Sequence, residues 1–552
     1  MELSGCQILI ETLIEQGVTT LFGYPGGTVL SIYDELYKNR HRINHVLTAH
    51  EQGAAHAADG YSRASGQVGV CVATSGPGAT NLMTGLATAK ADSIPMVAIT
   101  GNVPMELIGS DSFQEVDTFG LSIPVTKHSF RVDNVETLAE TVREAFRLAK
   151  SGRPGPVLVD IPKNIQLDKT EYAPKGIAEK LTDSKPDTAL LDQAVKMINE
   201  SKSPVIYCGG GVINANCSEI ITKLIEKTDA FMVCSMMGLT AMDNCHPKYL
   251  GMSGMHGRFA ATKAISECDL VIAAGVRFTD RATGNRSKFA PKAKIIHLDV
   301  DSAEHGKNID ATLQISGDLY FALCYINSKL EPQKHPEWEE EVRGYKNKTK
   351  EVSLPKGYLL PGQVIGAVNC RATPETNIAT DVGQHQMWVA QYYNFKKPRT
   401  LQTSGGLGTM GYGMGAAIGA AMATGNKTVL FTGDGSFGMN LNELATAVSQ
   451  ELPLIIVVLN NGVLGMIRQW QNLFFENHFM SSNLERKTDF VKLAEAFGAT
   501  GLRAANLEEL DKAMDKAFAL NNPVLIDCLI PDEENVFPMV PPNGSMDDII
   551  LK

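Results

Sequence analysis

Asp434 stands in a Gly-Asp-Gly turn at the end of one apolar run, and Asn461, 27 positions on, follows Asn460 at the end of another. A carboxylate, an amide oxygen and a backbone carbonyl are hard oxygen donors. They are too few for a closed calcium cage, but they suit a Mg2+ ion that completes its octahedron with phosphate oxygens and water. Asp-Gly and Asn-Gly are also ordinary turn residues, so their placement has to decide between the two readings. The runs at 429–431 and 454–459, with a helix over 438–450 between them, make one strand–helix–strand unit. Adjacent strands lie about 4.8 Å apart and parallel sheets bind ligands at the carboxyl ends of strands, so the spacing brings Asp434 and Asn461 to one small volume. Gly433, Gly435 and Gly462 would let the backbone come close to a ligand there.

The elements that must position these groups occur twice. Residues 70–102 lie over residues 429–461: Leu86-Ala87-Thr88 answers Leu444-Ala445-Thr446, Pro95 answers Pro453, and Asn102 answers Asn460. Further on, PVLVDIP (156–162) echoes PVLIDCLIP (523–531). Two echoes in the same order imply a shared topology, with Gly-Pro-Gly at 76–78 where the later copy has Gly-Asp-Gly. Pro- and charge-rich stretches at 171–187 and 331–357 read as linkers. They leave three segments in which short apolar strands alternate with helical patterns, the mark of parallel α/β layers. The expected fold class is therefore α/β, with three doubly wound parallel-sheet domains at 1–170, 188–330 and 355–535 and a tail at 536–552. The first and third are alike, and the family resemblance given below implies that the central one is dinucleotide-binding-like.

Composition narrows the function. With 552 residues the chain is too long for one core, and its net charge of −11 argues against a nucleic-acid binder. Ten cysteines without a C-x-x-C pair read as reduced thiols of a cytoplasmic protein. The start reads as an amphipathic helix from about Ser4, carrying Glu11 and Glu15, and not as a signal or transit peptide. No apolar run approaches the roughly 18 residues of a membrane span.

Gly-Asp-Gly followed after 24 residues by Asn-Asn resembles the cofactor motif of the thiamin-diphosphate-dependent enzymes. That resemblance implies Mg2+ held by Asp434, the Asn461 side chain and the Val463 carbonyl, with Gly433, Gly435 and Ser436 beside the diphosphate. LTAHEQGAAHAADG (47–60) is similar to the segment that supplies the catalytic glutamate, here Glu51, which would hydrogen-bond the aminopyrimidine. DVGQHQ (381–386) resembles the segment around the diphosphate, with Gly383, Gln384 and His385. SGGLGTMGYGMGAA (404–417) resembles the pyrimidine support, with the Gly408 carbonyl as acceptor and Met410 as the wedge that bends the cofactor.

Segments in all three parts narrow the likeness to the catalytic large subunits of acetohydroxyacid (acetolactate) synthases: GYPGG (23–27), GSDSFQEVD (109–117), PVTKHSFRV (124–132), GRPGPVLVDIPK (152–163), GMHG (254–257), GVRFTDRATG (275–284) and LGMIRQWQ (464–471). The resemblance implies decarboxylation of pyruvate and addition of the two-carbon unit to a second pyruvate or to 2-ketobutyrate. Gly26 and Gly27 would lie by the reacting centre, and Phe113, Gln114 and Lys127 along the substrate channel. Met466 and Trp470 would line the second keto acid's pocket, and 536–552 would act as a lid. In the middle part YCGGGV (Gly209, Gly210, Gly211), Met255, His256, Gly257, Gly275, Val276, Arg277, Arg281 and Asp299, with Arg153 nearby, match the FAD-bearing members. No G-x-G-x-x-G is present, so the physical signal for a dinucleotide is weak, and FAD would have a structural role. The family's habit further implies a homodimer or homotetramer with Glu51 and Asp434 meeting between subunits, a possible regulatory small subunit, and neither nucleic acid nor membrane as partner. A pyruvate oxidase, which uses the same two cofactors, or another 2-keto acid decarboxylase is the alternative. Gly-Met-Gly-Ala-Ala at 413–417 and Thr279 depart from the family pattern and leave local packing near the diphosphate and FAD open.

Overall fold

The computed structural model describes residues 1–348 and 358–551. Its frame is three six-stranded sheets in which every strand pair is parallel. The first sheet runs, in space, Asn44–Leu47, Thr20–Gly23, Gly69–Ala73, Met96–Asn102, Pro156–Pro162, His128–Arg131. The third runs Leu401–Gln402, Asn377–Thr380, Thr428–Gly433, Leu454–Asn460, Val524–Leu529, Thr500–Ala504. Counted along the chain within each domain, both orders are 2-1-3-4-6-5, so the two echoes found in the sequence are equivalent strands of one topology. The central sheet is different: Tyr249–Met252, Phe231–Cys234, Pro204–Cys208, Leu270–Ala274, Lys294–Asp299, Leu313–Ser316, the 3-2-1-4-5-6 order of dinucleotide-binding folds.

The strands are apolar on both faces because helices cover both sides. Leu454, Ile456, Val457 and Val458 have no exposed surface, and their pairing runs from Thr428 opposite Leu454 to Gly433 opposite Leu459. That register sets the ends of the two strands side by side, as the spacing required.

Two expectations need correction. The helix placed over 438–450 begins at Asp434 itself, runs to Asn440, gives way to a short 3-10 turn at Leu441–Glu443, and resumes over Leu444–Ser449. The break has a cause: the Asn440 amide turns to the Gly411 carbonyl (3.1 Å), and Glu443 leaves the helix line to accept the backbone N–H groups of Ala49 and His50. The stretch 331–357 is not all linker, since Pro336–Lys346 is a helix whose Trp338 packs edge-on against Phe231 of the central sheet; 349–357 lie outside the described residues. The tail, described over 536–551, is tied down. It crosses to the central domain, where the Val540 N–H donates to the Met255 carbonyl (2.8 Å) and that of Asn285 to the Gly544 carbonyl (3.0 Å).

The first and third domains meet through helices Glu51–Ser65 and Tyr412–Thr424. Their contact faces are Gly53, Ala57 and Gly60 against Gly415, Ala416 and Gly419, so the backbones nearly touch. A Cβ on Gly419 would overlap the Ala57 carbonyl, and one on Gly60 the Ala416 carbonyl. Buried carboxylates cross this contact in both directions. Glu443 of the third domain accepts the Ala49 and His50 N–H groups just ahead of the helix that begins with Glu51, while Asp92 of the first accepts the Gly405 (3.0 Å) and Gly406 (2.7 Å) N–H groups and the Arg63 guanidinium (2.9 Å). Overpacking such a contact costs about 1–3 kcal/mol. Gly419→Ala should therefore lower the thermal unfolding midpoint by several degrees, while Gly425→Ala at the solvent end of the same helix, strained only by its φ of +67°, should cost less; equal midpoints for Gly419→Ala and the parent would show that the backbones are not in contact.

Candidate active site

In an open α/β sheet the ligand crevice lies where strand order reverses. In the third domain that point falls between Asn377–Thr380 and Thr428–Gly433, and the segments that leave these strands are 381–385 and Gly433–Ser436. Asp434 is buried there, and burial lifts its carboxyl to about 6 against backbone N–H groups that include those of Gly462 and Asn461. The Asn461 side-chain oxygen accepts the Val463 N–H (3.2 Å), and its amide faces Gln384 (3.4 Å). The Val463 bridge to Asn483 is closed by the Leu464 N–H and the Gly462 carbonyl, not by Val463's own carbonyl. Ser436 accepts the Gly433 N–H (3.2 Å) and ties down the turn. His385 is buried with its Nε2 atom lacking a partner, and burial holds its pKa down to about 3, so it offers a neutral imidazole. Gly408 and Gly411 take positive φ, as the turn before helix Tyr412–Thr424 requires.

In the central domain the reversal lies between Pro204–Cys208 and Leu270–Ala274. Gly209 and Gly211 pack against Gly275 so closely that a Cβ on Gly209 would overlap the Gly275 carbonyl, and Gly275 has φ +58°. Burial lowers the pKa of Arg277 and of His256 (to about 4) and raises that of Asp299 to about 6. Arg153 pairs with Glu304 (2.7 Å), whose other oxygen is buried without a partner, as is His256 Nδ1. Guanidinium groups suited to phosphates, acids suited to hydroxyls and orphaned buried polar atoms fit a dinucleotide at this crevice.

Both crevices open on one cavity of about 1230 Å3. Gly383, Gln384, His385, Gly433, Gly435 and Ser436 line its third-domain end, with Asp434, Asn461 and Val463, and Gly408, Met410 and Met466 lie along it. Arg153, Gly209–Gly211, Met255, His256, Gly275–Arg277, Arg281 and Asp299 line the central-domain end; Gly257 does not, and instead closes a tight turn against Met252 and Ser253. Trp470 lies between, its ring 5.5 Å from the Arg281 guanidinium and its indole N–H buried without a partner.

The remaining candidates stand elsewhere in the chain. Glu51 opens the helix over the first domain's own reversal point, where its carboxylate meets Asn81 (3.0 Å) and lies beside Gly78. Gly26 packs on Thr74, Gly27 faces open space, and Gln114 (φ +59°) lies over Gly76 of the Gly-Pro-Gly turn. Phe113 is 86 % exposed. None of Glu51, Gly26, Gly27, Phe113 or Gln114 reaches the cavity of its own chain. Lys127 joins neither group: its ammonium donates to the Leu148 (2.7 Å) and Ser151 carbonyls at the end of helix Val135–Lys150.

Sequence reading passed over Glu304, and took Asp381 and Gln469 only as members of the segments DVGQHQ and LGMIRQWQ, with no contact assigned to either. Gln469 is buried and links Gln384 (3.2 Å) to the Val536 backbone (3.0 Å and 2.9 Å) at the root of the tail. Asp381 holds the Gly411 N–H (2.8 Å), and burial lifts its carboxyl to about 6. Asp381 had a signal, an acid directly after a strand at a reversal point, and Gln469 stood beside Trp470 in a segment already singled out; Glu304 had none.

The chain matches the family descriptions "Thiamine pyrophosphate enzyme, N-terminal TPP binding domain" over residues 3–121, "central domain" over 191–324 and "C-terminal TPP binding domain" over 381–528. It is 44 % identical to the acetolactate synthase isozyme 2 large subunit of Escherichia coli, covering 100 % of both chains. To the probable acetolactate synthase large subunit of Methanocaldococcus jannaschii it is 43 % identical, over 99 % of this chain and 95 % of that one. To the acetolactate synthase large subunit of Corynebacterium glutamicum it is 44 % identical, over 99 % and 90 %. With both reversal points, the Asp434–Asn461 pair and likeness along its whole length, the chain belongs to the thiamine pyrophosphate enzymes and, within them, to the acetolactate synthase large-subunit family.

Proposed function

We propose that the protein condenses two 2-keto acids with loss of CO2, giving 2-acetolactate from two pyruvates and 2-aceto-2-hydroxybutyrate from pyruvate and 2-ketobutyrate, in branched-chain amino-acid biosynthesis. The observation that carries this reading is that Asp434, Asn461, Met466 and Trp470 share one cavity in a chain that matches acetolactate synthase large subunits end to end. When bound, thiamin diphosphate supplies the nucleophilic carbon and the sink for the electrons released by decarboxylation. Asp434, Asn461 and the Val463 carbonyl would hold Mg2+ and, through it, the diphosphate. Gly408 and Met410 would support and bend the cofactor, and Glu51 would hold a proton at the aminopyrimidine nitrogen. Trp470 and Met466 would select the second keto acid, and the tail would keep water out. FAD would occupy the central crevice with Arg277, Arg281 and Asp299 around it, in a structural role.

One chain holds Glu51 and Asp434 apart, so we assign the working site to two copies of the chain, each giving its first domain to the other's cavity. Exposed apolar side chains on both parts support this, among them Phe113 on one and Met480 (79 % exposed) on the other. The relatives are named large subunits, which supports a small regulatory partner. Among the described residues no helix is long and apolar enough to cross a membrane.

Product analysis separates this reading from an oxidase. Pyruvate supplied anaerobically without an electron acceptor should yield acetolactate, detected as acetoin after acid treatment; acetate formed only with an acceptor would overturn it. Subunit exchange tests the shared site. Glu51→Gln and Asp434→Asn should each be inactive, and equal mixing of the two should restore about a quarter of parental activity, because half the dimers are mixed and each carries one intact site. No recovery on full exchange would place the site within one chain. Trp470→Leu should lower the 2-ketobutyrate-to-pyruvate preference by about tenfold or more, as expected when a pocket stops sensing one methylene; an unchanged product ratio would move specificity elsewhere.

A further inference from the structure

Asn81 ends the short helix Pro77–Asn81, and its side-chain amide donates to Glu51 Oε2 at 3.0 Å. The other oxygen, Oε1, lies over Gly78, where a Cβ would stand 3.3 Å from it and 2.8 Å from Thr74 Cγ2. One carboxylate oxygen is thus held by a neutral donor, and the other faces a side kept clear by a residue without a side chain. The duplicated domain repeats the arrangement with a different acceptor. Asn440 ends the equivalent helix Asp434–Asn440, and its amide donates to the Gly411 carbonyl (3.1 Å), the residue that caps helix Tyr412–Thr424. That helix is the counterpart of Glu51–Ser65. In both domains an asparagine one helix beyond the third strand therefore braces the start of the same helix. In the first domain the brace has moved from backbone to a carboxylate.

We propose that Asn81 is a positioning residue for Glu51, holding Oε2 so that Oε1 alone is aimed at the cofactor's aminopyrimidine. The inference rests on the reading of Glu51 given above. A neutral donor orients the carboxylate without competing for the proton it handles, as a cation would. Losing a hydrogen bond to a charged group is worth about a 10–100-fold change in the step it serves.

The test uses the full chain loaded with thiamin diphosphate, Mg2+ and FAD. It reads cofactor affinity, steady-state rates and deuterium exchange at thiamin C2, the last by acid quench and NMR. Asn81→Ala should slow exchange and kcat about 10–100-fold, with KM and cofactor affinity little changed. Asn81→Leu, of similar shape but with neither donor nor charge, should do the same and serves if the alanine variant does not fold. In Glu51→Gln, which should itself lose exchange, adding Asn81→Ala should cost nothing more, whereas a brace acting only on folding would add its own loss. Parental exchange in both Asn81 variants, or additive losses in the double variant, overturns the proposal. Parental exchange in Glu51→Gln overturns the reading of Glu51 instead.

Discussion

Helices Glu51–Ser65 and Tyr412–Thr424 touch along glycines and alanines, and that contact decides where the rest of the machinery can stand. Backbones this close leave no room for side chains to slide, so the first and third domains behave as one block. Polar groups fasten the block at its rim. Arg63 is buried between Asp59 and Asp92, and the Tyr412 hydroxyl donates to Asp59 (2.6 Å). A buried ion cluster adds little net stability once desolvation is counted, but removing one member leaves a charge without a partner. Its effect here is on register: Asp92 fixes Gly405 and Gly406 at the base of the turn that carries Gly408 and Met410.

The same contact separates the two halves of the candidate site. Glu51 and the Gly-Pro-Gly turn gather at one reversal point, Asp434 and Asn461 at another, and only the second opens on the cavity. The proposed pairing with a second copy rests on that geometry more than on any single exposed residue.

Much of this was legible in the sequence, for a physical reason. A strand–helix–strand unit has a narrow range of lengths, so 27 positions between Asp434 and Asn461 already placed them on one sheet edge. The repeated strands at 156–162 and 523–531 marked one topology because buried parallel strands have little freedom in composition. What stayed hidden were contacts between domains. Glu443 reads as one more acid in a helical run, yet it breaks that run to accept N–H groups just ahead of Glu51's helix, far away in the chain, and no local pattern encodes such a bond. Lys127 is a different case. Likeness placed it in a channel, and within its own chain it ends a helix. The helix at Pro336–Lys346 was concealed by its charges, since only Trp338, Val342 and Tyr345 of its residues are buried.

The duplication also explains how one turn came to serve two tasks. In both domains the third strand runs into a glycine-flanked turn and a short helix whose last asparagine reaches back to the next domain-spanning helix. With aspartate between the glycines, the turn presents a carboxylate to the reversal point, where the proposed reading puts a cation. With proline there, the turn can hold no cation, but it stays narrow at Gly76 and Gly78, and the free volume falls to the glutamate that begins the facing helix. The two copies did not diverge in fold. They diverged in which side of the crevice carries the negative charge, and a cofactor with a diphosphate at one end and a basic ring at the other needs one of each.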